Sequence, residues 1–334
     1  MKKDLITVVL PTYNSEDKVE LTLDSIISQS YSDIELIVCD DCSKDKSVNV
    51  VERVLEKNKE RFKSVTVIEN ETNLGTVKNV QQAYRIAKGR IIKPLAAGDL
   101  LYSKDTLETI YQYFKQHNPL IACGLQRSFN TEKGMFEEIN FLRPRPEDYK
   151  KFNSYKETMK KMLFLGHFAT GAGLILNKDL FTKYNYFLPE EVKYTEDILQ
   201  LWLTMDKVEI KIIENFIIWY EYGTGISTSN VQFPTKVDID QLNFYKWLRN
   251  KYRNNKEYIE YLELAIKMKE LDNSSYGKIK RTILTLKRPE IFSMKIRTKL
   301  KETNSVKNLK LYIKDVSSQQ GDGFKDKICR FYNV

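Results

Sequence analysis

Ile91-Ile92-Lys93-Pro94-Leu95-Ala96-Ala97-Gly98-Asp99-Leu100 reads as a short apolar strand that runs into small residues and then a single carboxylate. Small residues let the backbone turn sharply and let a ligand come close. A carboxylate at the C-terminal edge of a strand can hold a divalent cation beside a substrate phosphate, or it can simply cap the next turn. The stretches around it decide between these readings.

Upstream, strand and helix patterns alternate. Leu5-Ile6-Thr7-Val8-Val9-Leu10 has the composition of a buried strand and ends at Pro11-Thr12-Tyr13-Asn14-Ser15. Ser15 is expected to cap a helix with Val19, Leu23, Ile26 and Ile27 as its apolar stripe. A second strand, Ile34 to Cys39, stops at Asp40-Asp41, and Ser43 is expected to cap the helix that follows. A third, Ser64 to Ile68, leads to Asn73-Leu74-Gly75 and a helix through Val80, Tyr84 and Ala87. This alternation predicts an α/β fold with a mostly parallel central sheet and helices on both faces. Ligands bind such sheets at the carboxyl ends of the strands, where Pro11, Tyr13, Asp41, Gly75 and Asp99 all fall.

Composition sets the outer bounds. The chain has 334 residues, 42% of them hydrophobic, enough for one large domain and an appendage. No apolar run reaches about eighteen residues. Met1-Lys2-Lys3-Asp4 leads directly into the first strand without a signal-type apolar region, so a cytoplasmic location is expected. Cys39 and Cys42 lack a second pair that would complete a zinc site, and unpaired thiols are expected. The net charge of +9 is uneven: residues 251–334 hold 20 Lys and Arg against 10 Asp and Glu, which accounts for the whole basic excess. No G-x-G-x-x-G follows the first strand and no P-loop occurs, which weakens dehydrogenase and P-loop nucleotidase readings.

Thr7 to Asn14, Ser25 to Tyr31 and Ile34 to Asp45 together resemble a family-2 glycosyltransferase. The resemblance implies the GT-A fold over residues 1–228, with a nucleotide-binding half (1–100) and an acceptor-binding half (101–228), followed by a basic helical region at 229–334. It implies a nucleoside diphosphate sugar donor, a glycan or lipid-linked acceptor, and Mn2+ or Mg2+ as cofactor. Pro11 and Tyr13 would line the base pocket, Asp41 would bind the base, and Lys78 would stand where the family has Arg. Asp99 would hold the metal, although Ala96 and Gly98 replace two acids usual in that block.

In the second half, residues 126–160 read as an irregular loop around Arg143-Pro144-Arg145-Pro146. By resemblance, His167, Gly171 and Ala172 would lie by the donor sugar or the acceptor. Glu196-Asp197 opens a helix with Ile198, Leu201 and Trp202 on its apolar face. The resemblance makes Asp197 the catalytic base, supported by Glu196, and a helix start should keep the base ionised. The alternative is a catalytically impaired member of the fold that serves a partner enzyme.

Beyond residue 230 the resemblance fades. Gln241 to Trp247 and Tyr258 to Met268 look helical, and Pro289 must interrupt any longer helix. Between Ile279 and Leu300, seven basic residues interleave with large apolar ones. An anionic membrane surface and an ordinary helical subdomain are both open readings. Nucleic acid is not expected, because the basic run has few aromatics and no reader motif.

Overall fold

The computed structural model describes residues 3–130, 137–139, 154–166, 169–223 and 235–332, with side chains except at 139, 298–313 and 332. The strands are β1 (Ile6–Thr12), β2 (Ile34–Asp40), β3 (Ser64–Glu69), β4 (Ile91–Pro94), β5 (Leu100–Leu101), β6 (Ile121–Asn130), β7 (Glu137–Ile139), β8 (Leu174–Asn177) and β9 (Ile210–Glu221). The α-helices are α1 (Val19–Ile27), α2 (Ser47–Asn58), α3 (Thr76–Ile86), α4 (Thr106–His117), α5 (Tyr155–Leu165), α6 (Asp179–Thr182), α7 (Leu199–Met205), α8 (Lys236–Lys251), α9 (Lys256–Lys269), α10 (Ser275–Leu286), α11 (Pro289–Gln320) and α12 (Lys325–Tyr332).

The strands form one sheet in the order β3-β2-β1-β4-β8-β6-β9-β5, with β7 paired to β6. The first half, β1 to β4, is parallel as the alternating pattern predicts. The second half is mixed: β8 runs antiparallel to β4 and β6, while β9 runs parallel to β6. The last strand, β9, is long, and its register against β6 shifts near Gly124 and Leu125. Part of the expected loop 126–160 is regular, because β6 continues to Asn130 and α5 begins at Tyr155. Its centre, Arg143 to Pro146, lies outside the described residues.

Local chemistry moves two helix starts. Ser15 does not cap α1 with its hydroxyl; its carbonyl accepts from Lys18 and Val19 N–H, and α1 begins at Val19. Ser43 binds Asp40 through both its N–H and its hydroxyl, so α2 begins only at Ser47. Short side chains that bond nearby groups compete with capping in this way.

Alternation along the strands sorts the core onto two faces. Ile6, Val8, Leu10, Leu36 and Ile91 pack with Leu107 and Phe114 on one face. Val9, Ile37, Ile92 and Ile121 pack with Tyr84, Trp202, Phe244 and Leu248 on the other. The C-terminal helices are built into this body. Phe244, Tyr245 and Leu248 of α8 are fully buried in the second cluster. Val316 of α11 and Ile328 of α12 join Tyr102, Phe129 and Trp219 at the far edge of the sheet. Tyr102 Oη donates to the Gly321 carbonyl at 2.6 Å, and Gln320 bonds both N–H and C=O of Phe216. Among the described residues no helix is long and apolar enough to cross a membrane.

If α8 is core and not appendage, Phe244→Ala should destabilise the whole fold by about 3–5 kcal/mol. Denaturant unfolding followed by tryptophan fluorescence measures this, and a loss below about 1 kcal/mol would detach α8 from the core.

Candidate active site

The carboxyl ends of β1, β2 and β4 lie side by side because β1 pairs with both β2 and β4. Tyr13 stands just beyond β1 with half its surface exposed, a free aromatic face at the rim. The Pro11 carbonyl accepts a long contact from Ala97 N–H at 3.4 Å, which ties the end of β1 to the turn carrying Asp99.

Asp41 is buried, and its carboxylate clips the next loop. Oδ1 accepts from Leu74 N–H at 2.7 Å and Oδ2 from Gly75 N–H at 2.9 Å. Asp41 therefore stabilises the following loop, at the rim where the base is expected. Gly75 has a φ of +83°, and a Cβ there would lie 2.7 Å from the Lys193 carbonyl. Only glycine satisfies both conditions. Lys78 is exposed on the first turn of α3, with no hydrogen-bond partner among the described residues.

Asp99 is buried, and its Oδ1 accepts from Glu221 N–H at 3.0 Å. Burial pushes its carboxyl up to about 8, with the Glu221 charge adding to the rise while the Glu221 N–H, Lys93 and Lys18 oppose it. Glu221 was missed by the sequence reading. It ends β9 and is 122 residues from Asp99. Its carboxylate lies against Gly98, where a Cβ would be 2.6 Å from Oε2, and it accepts from Lys18 Nζ at 2.8 Å. The space vacated by a side chain at position 98 is thus filled by a carboxylate from another strand.

Two carboxylates offer hard oxygen donors, which suit Mn2+ or Mg2+; such ions ordinarily complete their shell with water and substrate phosphate. No cluster of three metal-ligating side chains occurs among the described residues.

Lys93 is fully buried beside Asp99. Its Nζ donates to the carbonyls of Pro94 at 2.6 Å and Ala172 at 2.5 Å. Burial lowers it to about 7, with Asp99 opposing the shift. This contact places the Gly171–Gly173 turn directly across from the Asp99 turn. Gly171 is small for a reason: a Cβ there would lie 2.0 Å from Glu196 Oε1. His167 lies outside the described residues.

Glu196 and Asp197 sit in a single 3-10 turn, Glu196–Ile198, that feeds α7. The helix start was expected to hold Asp197 ionised at ordinary carboxylate pH. The structure reverses that expectation. Burial raises both carboxyls, and for Glu196 the charge of Asp197 raises it further. Desolvation outweighs the dipole of a seven-residue helix.

The turn is held from behind by Asp240 of α8, a second residue the sequence reading missed. Its buried carboxylate accepts from the N–H groups of Lys193, Tyr194 and Thr195, at 3.1, 2.6 and 3.0 Å, and from Thr195 Oγ1 at 3.2 Å. Gln200 then bonds Ala169 on one side and the Asp197 carbonyl on the other. The described candidates therefore form one continuous rim, from Asp41 through Gly75, Lys193, Glu196, Gly171, Lys93 and Asp99 to Glu221.

The candidate groups lie at the carboxyl ends of the strands, where α/β proteins of this kind bind ligands. Residues 7–184 match the model of glycosyl transferase family 2, and the chain belongs to that family. It is 26% identical over 262 residues to an uncharacterised glycosyltransferase of Methanocaldococcus jannaschii, covering 77% of this chain and 83% of the relative. It is 33% identical over 141 residues to the poly(ribitol-phosphate) beta-glucosyltransferase of Bacillus spizizenii, covering 40% of this chain but only 22% of that relative. Among solved structures, S. aureus TarS 1–349 with UDP-GlcNAc has a TM-score of 0.56 at 18% identity, covering 79% of this chain and 70% of that one. A mannosyltransferase of Pyrobaculum calidifontis with GDP-Man and Mn2+ gives 0.53 at 15% identity, covering 95% and 88%. These likenesses establish the GT-A fold.

Asp240→Ala would leave three backbone N–H groups without their acceptor. Stability should fall by about 2–5 kcal/mol, and the 193–197 turn should lose its fixed position. Hydrogen exchange of residues 193–195 reads this directly; unchanged protection would show that another group holds the turn.

Proposed function

We propose that this family-2 glycosyltransferase moves a sugar, with inversion, from a UDP-sugar to a hydroxyl of a glycan or lipid-linked acceptor. The setting would be assembly of a surface polysaccharide or glycoconjugate, on the cytoplasmic side of the cell membrane. The observation that carries this reading is the Glu196–Asp197 turn pressed against Gly171, directly across the Lys93 bridge from Asp99.

In this reading Pro11, Tyr13 and Asp41 frame the base, with Asp41 acting partly through the loop it clips. Lys78 reaches the phosphates as a point charge. Gly171 and Ala172 form the floor beneath the donor sugar; His167, outside the described residues, keeps its proposed role as a donor or acceptor contact. Asp197 takes the proton from the acceptor hydroxyl as its oxygen attacks the anomeric carbon. The bond from that carbon to the diphosphate oxygen breaks with its electrons, and UDP departs. Asp99, with Glu221, would hold Mn2+ or Mg2+, which offsets the charge on the leaving diphosphate. Lys18 now pairs with Glu221 and would give way to that ion. Ala96 and Gly98 support the rival reading of an impaired partner; the Glu221 carboxylate against Gly98 supports the active one.

Two measurements test this. Asp197→Asn should lower turnover about a hundredfold to ten-thousandfold while UDP binding survives. In the parent enzyme the ascending limb of the pH–rate profile should lie well above the usual carboxylate range of about 4, because a raised carboxyl must ionise before it can accept a proton. Near-normal turnover in the folded variant would place the base elsewhere.

Calorimetry of UDP with and without Mn2+ tests the metal. Binding should be tighter with the ion, and both Asp99→Ala and Glu221→Gln should shrink the difference. No metal dependence in the parent protein would remove the ion from the mechanism.

A further inference from the structure

Helix α10 is turned the wrong way round for a helix that belongs only to the interior. Tyr276, Ile279, Ile283 and Leu286 follow helical spacing along one side, and they are 66%, 57%, 45% and 53% exposed. The side facing the protein carries Gly277, Arg281, Leu284 and Thr285, of which only Leu284 is large and apolar. Arg281 anchors it, donating to the Leu271 carbonyl at 2.6 Å and to Asn273 Oδ1 at 2.9 Å. A helix of this kind ordinarily buries its large apolar residues and leaves its polar ones outside.

The stripe continues onto the next helix. Pro289 starts α11, whose Ile291 is fully buried and pins the first turn. Phe292 and Ile296 emerge beside it and are exposed. Six large apolar side chains are thus exposed on one pair of packed helices, more than the scattered exposed hydrophobes of an ordinary surface.

The charge around the patch selects its occupant. Lys278, Lys280, Lys287 and Arg297 are exposed and have no acidic partner among the described residues. Lys280 leans over the Tyr276 ring at 4.2 Å. Between residues 278 and 297 only Glu290 is acidic. A second copy docked face to face would set these cations against one another. An anionic bilayer offers what both parts of the surface lack: an apolar layer for the stripe and negative headgroups for its borders.

We infer that α10 and the first turns of α11 form a peripheral docking surface that lies in the interface of an anionic membrane. The apolar stripe inserts and the flanking cations meet lipid phosphates. The surface is coupled to the rest of the enzyme, because the far end of α11 is tied to β9, the strand that carries Glu221. The inference does not depend on the assignment of Asp197 or of the metal, so it and the proposed reaction can fail separately.

The test uses the full chain and sedimentation with vesicles of phosphatidylcholine alone or with about 30% phosphatidylglycerol. Binding should be at least about tenfold stronger to the anionic vesicles at low salt and should weaken as salt rises. Ile279→Ser with Ile283→Ser and Leu286→Ser should abolish binding at every salt concentration. Lys280→Glu with Lys287→Glu leaves the stripe intact and should remove the preference for anionic lipid. UDP titration and thermal melting check that both variants remain folded. Equal binding to both vesicle types, no binding, or parental binding by the folded variants would overturn the inference. A dimer in the absence of lipid that the serine variant dissolves would also overturn it, and would assign the stripe to a second copy.

Discussion

One buried carboxylate governs the geometry of the candidate site. Asp240 draws the three consecutive N–H groups of residues 193–195 onto its oxygens. Such a backbone segment cannot also pair in a strand or helix, so it is left free to turn the following acids toward the rim. The same segment presents the Lys193 carbonyl to Val77 N–H, and Gly75 has no side chain to block that approach. The Asp41–Gly75 side and the paired-acid side are thus clamped to one another through a residue of α8. The C-terminal region is part of the site's scaffold, although it carries none of the expected catalytic groups.

Burial shapes the electrostatics of the rim. Lys18, Glu221, Asp99 and Lys93 form a series in which two adjacent carboxylates lie between two cations, and its deepest members are shielded from water. Lys93 is pushed down and Asp99 up, each toward its neutral form. Partial neutrality of both costs less than keeping two desolvated charges, since mutual attraction rarely repays full desolvation. The Glu196–Asp197 pair follows the same logic with like charges.

Much of this was legible in the sequence where the signals are local. Alternating strands and helices disclosed the parallel half of the sheet, and the strand ends disclosed Asp41, Gly75 and Asp99. What was not legible depends on distance along the chain. Glu221 carries no motif around it, and only the pairing of β9 with β5 brings it beside Asp99. Asp240 lies beyond the motif-bearing part of the chain, inside a helix whose pattern says nothing about a polar anchor. The ionisation of Asp197 was misjudged because a helix start is visible in sequence and burial is not. Ser15 and Ser43 looked like caps, but a cap is one of several local bonds open to a serine, and neighbouring groups decided the competition.

Helix α10 shows the same limit from the other direction. Its period reveals which residues share a face, yet a period cannot say whether that face turns inward. The orientation is fixed by what the opposite side can bond. Arg281 finds a carbonyl and an amide oxygen in the preceding loop, Gly277 allows close approach to Asp272, and Thr285 bonds the Arg281 carbonyl. Rolling the helix inward would bury the stripe but would break the Arg281 contacts and lift Gly277 away from Asp272. The polar anchor therefore decides the orientation, and the apolar face is left outward as a consequence of that anchor.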